Sequence, residues 1–222
     1  DCSGECGGSA QIDICGTCDN DPDNDCVQTT IELHYGANLI SFYIIPNDNS
    51  VSNILSPLGD NATGLIGEGV ASTNIGGNWI GSLTTISPTS GYWLTIDNSA
   101  VLIVTGLPLN GENEIYTIHS GANLISYPFP GFASIEEAIP DTAQGFINAI
   151  LSEGVAAMNT SDGWVGALTS FNGGSGYWVI VSEDLSFSYN LNGGNARASL
   201  YNEVLPEDSK LNVSQSTTQA FY

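Results

Sequence analysis

Positive charge is nearly absent from this chain: 222 residues carry two basic side chains, Arg197 and Lys210, against 24 aspartates and glutamates, for a formal charge of −22. No basic stripe exists to displace counterions from phosphates, which excludes nucleic acid as a partner. An anionic membrane surface is disfavoured for the same reason. No apolar run approaches the roughly 20 residues that would span a bilayer, so no membrane insertion is expected. Such an acidic surface suits a salty, calcium-rich extracellular medium, where charge is screened over about 10 Å or less and carboxylates hold divalent cations.

Cysteine is missing from most of the chain. All five, Cys2, Cys6, Cys15, Cys18 and Cys26, fall within the first 26 residues. That stretch has almost no apolar residues, so disulfides are the expected stabiliser and an exported protein the expected context. The Cys15-x-x-Cys18 spacing also occurs in zinc and redox sites, but its neighbours here are Asp13, Asp19 and Asp21, whereas thiolates favour nearby positive charge. Five is odd, so one thiol is free or pairs outside this sequence. The same segment spaces Asp19, Asp21, Asp23 and Asp25 at alternate positions, with Asp13 upstream. Carboxylates so placed on a looped backbone converge on a hard cation, so these five are the candidate metal ligands and calcium the expected ion.

What is present is a duplication. His34-Tyr-Gly-Ala-Asn-Leu-Ile-Ser41 returns as His119-Ser-Gly-Ala-Asn-Leu-Ile-Ser126, and Gly91-Tyr-Trp93 as Gly176-Tyr-Trp178, each 85 positions on. Glu68 with Glu153 and Trp79 with Trp164 keep the same offset of 85. A residue used by one active site should occur in one copy only, so what is shared reads as architecture.

Within each copy the β-branched and aromatic run Leu39-Ile-Ser-Phe-Tyr-Ile-Ile45 predicts a buried strand, cut short in its counterpart by Pro128 and Pro130. Ser134-Ile-Glu-Glu137 is a capping-box pattern that predicts a short helix closed by Pro140, with a weaker equivalent from Ser50. Gly64 to Ala71, Asn78 to Leu83 and Gly91 to Ile96 read as strands, with Val101 to Thr105 and Leu185 to Tyr189 closing the copies. The expected fold is mainly β: two tandem copies of a small β module, each with one short helix, preceded by a disulfide- and calcium-stabilised irregular segment. The expected divisions are 1–28, 29–109, 110–190 and a tail or further module at 191–222.

Candidate chemistry is sparse. His34 and His119 could meet on a metal only through a particular docking of the copies, and a hydrogen-bonding role in each is favoured. Glu68 and Glu153, read as strand residues flanked by glycine, could act as a glycosidase pair only across a domain interface; a structural carboxylate accepting backbone N–H bonds is favoured. No enzyme is expected. Trp79, Trp164, Tyr92, Trp93, Tyr177 and Trp178 read mainly as core, the alternative being a sugar-stacking platform, with Trp79 and Trp164 as the candidate binding residues.

Residues 1–26, from Asp1-Cys-Ser-Gly-Glu-Cys6 through Asp13-Ile-Cys-Gly-Thr-Cys18, resemble the thrombospondin type 3-like calcium repeats of secreted bacterial proteins, with Pro22 and Asn24 interrupting the full pattern. That resemblance implies calcium held by Asp and Asn and a stiffened stalk. The Gly-x-Asn-Leu-Ile-Ser and Gly-Tyr-Trp anchors over 31–190 resemble small β modules found in tandem in multi-module surface proteins of marine bacteria. The expected function is therefore a non-catalytic extracellular structural or adhesive segment of a cell-surface protein or filament, or alternatively a pair of carbohydrate-binding modules. Its expected partners are other modules of the same protein, neighbouring subunits or glycans. The opening on Asp1-Cys2 suggests a mature or excised portion of a larger protein. The strand-like tail at 211–222 suggests continuation into another module or strand addition to a neighbour.

Overall fold

The computed structural model describes residues 1–21, 25–111 and 113–190. Asp23 and the tail at 191–222, which holds both basic residues, lie outside them. The described residues are mainly β with a few short helices, as expected. At the N-terminus β1 (Gln11–Ile12) pairs antiparallel with β2 (Cys18–Asp19). No residue of 1–21 is buried, so the order of this segment rests on its disulfides, Cys2–Cys18 and Cys15–Cys26, which leave Cys6 free and exposed.

The first half runs β3 (Val27–Leu33), β4 (Gly36–Ile40), β5 (Ile44–Ile45), α1 (Val51–Ile54), β6 (Ala62–Gly67), β7 (Val70–Ile75), β8 (Asn78–Gly81), β9 (Tyr92–Ile96) and β10 (Ala100–Pro108). The second runs β11 (Tyr116–Ile118), β12 (Gly121–Ile125), β13 (Phe132–Ser134), α2 (Ile135–Ala138), α3 (Asp141–Gln144), β14 (Ile147–Ser152), β15 (Val155–Thr160), β16 (Gly163–Gly166), β17 (Ser170–Asn172), β18 (Tyr177–Val181) and β19 (Leu185–Phe187). Each half is built on a five-stranded antiparallel sheet, in the order β4-β9-β6-β7-β8 and β12-β18-β14-β15-β16. Registers correspond at the offset of 85: Leu39 stands opposite Trp93 as Leu124 stands opposite Trp178, and the bulges at Ala62/Gly64 and Ile147/Ala149 coincide. Around these sheets β10 pairs with β3 and β5 in the first half, while β11–β19 and β13–β17 pair in the second.

Alternation along the strands sends one side chain in two to a core on one face of each sheet. In β9 Tyr92, Leu94 and Ile96 are buried, as Tyr177, Val179 and Val181 are in β18. One cluster centres on Ile44, Leu65, Leu94 and Leu102, the other on Tyr116, Ile150, Phe171 and Tyr189. Helices α1 and α2 start where serine caps them. Ser50 Oγ accepts from the Asn53 N–H, and Ser134 with Glu137 forms the complete capping box. Pro140 ends the α2 region and also opens α3, a helix the sequence reading did not include.

Two expected strands are divided. The run from Leu39 to Ile45 stops at Ile40, because the Ser41 N–H turns to the Gly174 carbonyl of the other half at 2.8 Å. The run from Gly64 to Ala71 folds into the β6–β7 hairpin, with Glu68-Gly69 as its two-residue turn. Glu68 and its counterpart Glu153 are thus turn residues, a correction to their reading as strand residues. Gly69 (φ 70°) and Gly154 (φ 73°) supply the left-handed backbone that these turns require.

Candidate functional site

The repeated polar residues converge where the two halves meet. Asn38, buried, binds the backbone of His34 on both sides: its Oδ1 accepts from the His34 N–H and its Nδ2 donates to the His34 carbonyl, both at 2.9 Å. Asn123 does the same for His119, at 2.9 and 2.7 Å. Each histidine is thereby aimed at the turn glutamate of the opposite half. His34 Nε2 bonds Glu153 Oε1, and His119 Nε2 lies 2.6 Å from Glu68 Oε1. The second oxygen of each carboxylate accepts a backbone amide from the same opposite half, Leu39 N–H to Glu153 at 3.1 Å and Leu124 N–H to Glu68 at 2.8 Å. The result is a crossed, reciprocal clasp.

Main-chain bonds extend it. The Gly176 N–H donates to Leu39 O and the Gly91 N–H to Leu124 O, each at 3.1 Å. The Ser126 N–H donates to Thr89 O at 3.1 Å, mirroring Ser41 on Gly174. The hydroxyls of Ser41 and Ser126, both fully buried residues, donate to Ser175 O at 2.7 Å and Pro88 O at 2.6 Å. At the centre Gly91 and Gly176 touch; a Cβ on Gly91 would stand 3.3 Å from the Gly176 Cα. The roles of Asn38, Asn123, Ser41 and Ser126 escaped the sequence reading, although their recurrence in the longest repeated string was the available signal.

Both ring nitrogens of each histidine face an oxygen acceptor. Nδ1 lies 2.8 Å from the carbonyl of the next residue, Tyr35 or Ser120, while Nε2 faces the glutamate. Only the doubly protonated imidazolium donates to both. The pKa of each is accordingly raised, His34 by the Tyr35 carbonyl and then Glu153, His119 by the Ser120 carbonyl and then Glu68, with Asp184 adding a smaller contribution. A raised histidine pKa stabilises fully below the free-histidine value of about 6.5 and ceases to do so as pH rises through the folded pKa. The melting temperature should therefore fall as pH is raised from about 6.5, and His34→Gln with His119→Gln should flatten the profile. An unchanged slope in the double variant would contradict the assignment. Among the described residues these histidines are the only side chains able to carry positive charge.

A small cavity of about 190 Å³, lined in part by Glu68, Ser90, Tyr116 and His119, opens beside one clasp. The clasps place a carboxylate against an imidazole.

In the N-terminal segment Asp13, Cys15 and Cys26 bring ligand atoms within 4.8 Å of one another, a group that could hold a metal ion. The disulfide between Cys15 and Cys26 removes their thiolates, leaving oxygen donors. Asp13 accepts from the Cys26 N–H at 2.9 Å and the Thr17 N–H at 2.7 Å, and the Cys26 bond above all holds its carboxyl below the usual range. Asp19 accepts from the Asp21 N–H at 2.9 Å. Cys2, Cys15, Cys18 and Cys26 are joined in two pairs and Cys6 stands alone.

The tryptophans divide by face. Trp79 and Trp164 are half-buried against the two cores, where Trp164 Nε1 is enclosed with no hydrogen-bond partner among the described residues. Trp93 and Trp178 are also half-buried, but alternate with the core residues of β9 and β18 and so stand on the opposite faces. The core role expected of them belongs to Tyr92 and Tyr177, whose hydroxyls accept from the Ser87 and Asn172 amides at 2.7 and 2.6 Å. No protein-family model, curated protein or solved structure matches this chain. The two disulfides fit an oxidising compartment, and no helix among the described residues is long and apolar enough to cross a membrane.

Proposed function

We propose that this chain is a non-catalytic structural or adhesive segment of an extracellular protein, in which two β halves are held as one rigid unit behind a disulfide-stapled stalk. One observation carries the reading: both histidines and both turn glutamates, the best acid–base candidates in the repeats, bind each other and backbone amides across the halves. Residues that recur at one offset serve a contact that has to be made twice. Calcium is the ion proposed for the stalk: with Cys15 and Cys26 oxidised, the carboxylate of Asp13 is the donor left in the metal-capable group, and the alternating aspartates of the same segment supply the oxygens that a hard cation prefers. Adhesion, a filament context and partners among neighbouring modules belong to the same proposal.

Force spectroscopy tests the rigid-unit reading. Pulled from handles at residues 27 and 190, the chain should unfold in one event, releasing about 3.6 Å per residue over the whole span. Two separate events of half that length would sink it. For the stalk, calcium should raise the protease resistance of residues 1–26 and give binding heat by calorimetry; no heat and unchanged resistance would remove calcium from the account.

A further inference from the structure

The geometry points to a second property, beyond the structural role: the outer faces of the two five-stranded sheets form a platform for a flat, uncharged polysaccharide ribbon, with Trp93 and Trp178 as its stacking residues. The ten strands of these sheets contain no Asp, Glu, Lys, Arg or His, in a chain of formal charge −22. On their outer faces Leu39 and Leu124 are buried beside the half-buried tryptophans, threonines are interspersed, and several apolar side chains stand open. Ile66 is 51% and Ile80 61% exposed on one sheet, Met158 62% and Val165 58% on the other. Apolar surface left open on this scale marks a site of interaction.

Charge narrows the occupant. A second copy would bring another −22 against the first, and an anionic polymer or lipid surface would be repelled by the same charge. A cationic ligand would find no carboxylate within the strands of either face, and the nearest two, Glu68 and Glu153 at the hairpin tips, are already engaged by His119 and His34. A neutral ligand meets neither penalty. Flat β-linked sugar ribbons expose C–H faces and keep their hydroxyls along the edges. An apolar platform can cover those faces without stripping water from hydroxyls that it could not rebond.

The aromatic placement agrees with this occupant. Trp93 stands between Leu39 and Ile66 across its neighbouring strands, and Trp178 between Leu124 and Leu151. The two faces abut at the central glycines, because Leu39 Cδ1 lies 3.1 Å from the position of a Cβ on Gly176, and Leu124 Cδ1 3.0 Å from one on Gly91. Each tryptophan is two residues along its strand from that junction, so one straight ribbon can reach both. Indole offers a wide apolar face and one polar N–H, a combination suited to a sugar ring.

The test is retention of the full chain on microcrystalline cellulose and on insoluble chitin, at low and high salt. Retention on at least one, little changed by salt, is expected, and Trp93→Ala or Trp178→Ala should each weaken it by about tenfold or more. Ile66→Asp and Met158→Asp, at open positions that leave the core untouched, should weaken it as strongly without lowering the melting temperature. The proposal is overturned by no retention on either polymer, by retention that the two aspartate variants leave intact, or by binding that high salt abolishes. It is equally overturned if light scattering finds a dimer that these variants dissolve, which would make the platform an interface between copies.

Discussion

Valine at both Gly91 and Gly176 should uncouple the two halves, turning one thermal unfolding transition into two or lowering the single transition sharply. A Cβ at Gly91 would lie 2.7 Å from the Ile125 carbonyl oxygen, and one at Gly176 2.7 Å from the Ile40 oxygen. Both obstacles are backbone atoms in strands that are paired on their other side, so they cannot swing away as a side-chain tip would. Overpacking of this kind costs about 1–3 kcal/mol at each site, and more where the backbone must shift. The strain falls on the contact between halves, away from either core. Scanning calorimetry would show it, and a melt indistinguishable from that of the parent chain would mean that the glycine contact does not hold the halves together.

Phe171→Ala should destabilise the second half by about 3–5 kcal/mol. Phe171 is fully buried and packs against Tyr177 (ring centroids 4.7 Å apart), Tyr189 (5.2 Å) and Tyr127 (5.5 Å). Its equivalent at the offset of 85 is Ile86, and the equivalents of Tyr116 and Tyr189 are Ile31 and Val104. The second core is therefore aromatic where the first is aliphatic, and the rings leave a large hole if one is removed. Burial has already raised the Tyr127 hydroxyl to about 12, so the variant should also bring tyrosine ionisation to lower pH. Urea unfolding measures the first effect and alkaline absorbance the second; a loss under about 1 kcal/mol would indicate a cluster loose enough to collapse into the space.

Much of the fold was legible because its signals are local. The β-branched runs, the Ser134 capping box and the constant offset of 85 each depend on residues close together or on simple repetition. What was misread depends on partners far along the chain. The strand from Leu39 appeared to continue to Ile45 because nothing nearby shows that the Ser41 amide leaves for Gly174. Glu68 appeared to lie inside a strand because the apolar residues on both sides match a strand as well as they match a tight hairpin; the signal for a turn was Gly69, and with Gly67 beside it a flanking pair was read instead. Trp93 was assigned to the core along with Tyr92, although adjacent residues in a strand point to opposite faces. For the site, recurrence implied architecture and a structural carboxylate accepting backbone N–H bonds was favoured; the crossing of each pair into the other half was not readable, because two copies at one offset are equally compatible with pairs within a copy. Cysteine pairing was equally closed to inspection, since spacing does not choose among partners.

The crossing itself is open to direct measurement by amide hydrogen exchange at Leu39 and Leu124, whose N–H groups point to Glu153 and Glu68 of the opposite halves. Glu68→Ala should speed exchange at Leu124 and leave Leu39 protected, and Glu153→Ala should do the reverse. If each substitution instead deprotects the amide of its own half, or neither amide responds, the reciprocal clasp does not hold these halves together.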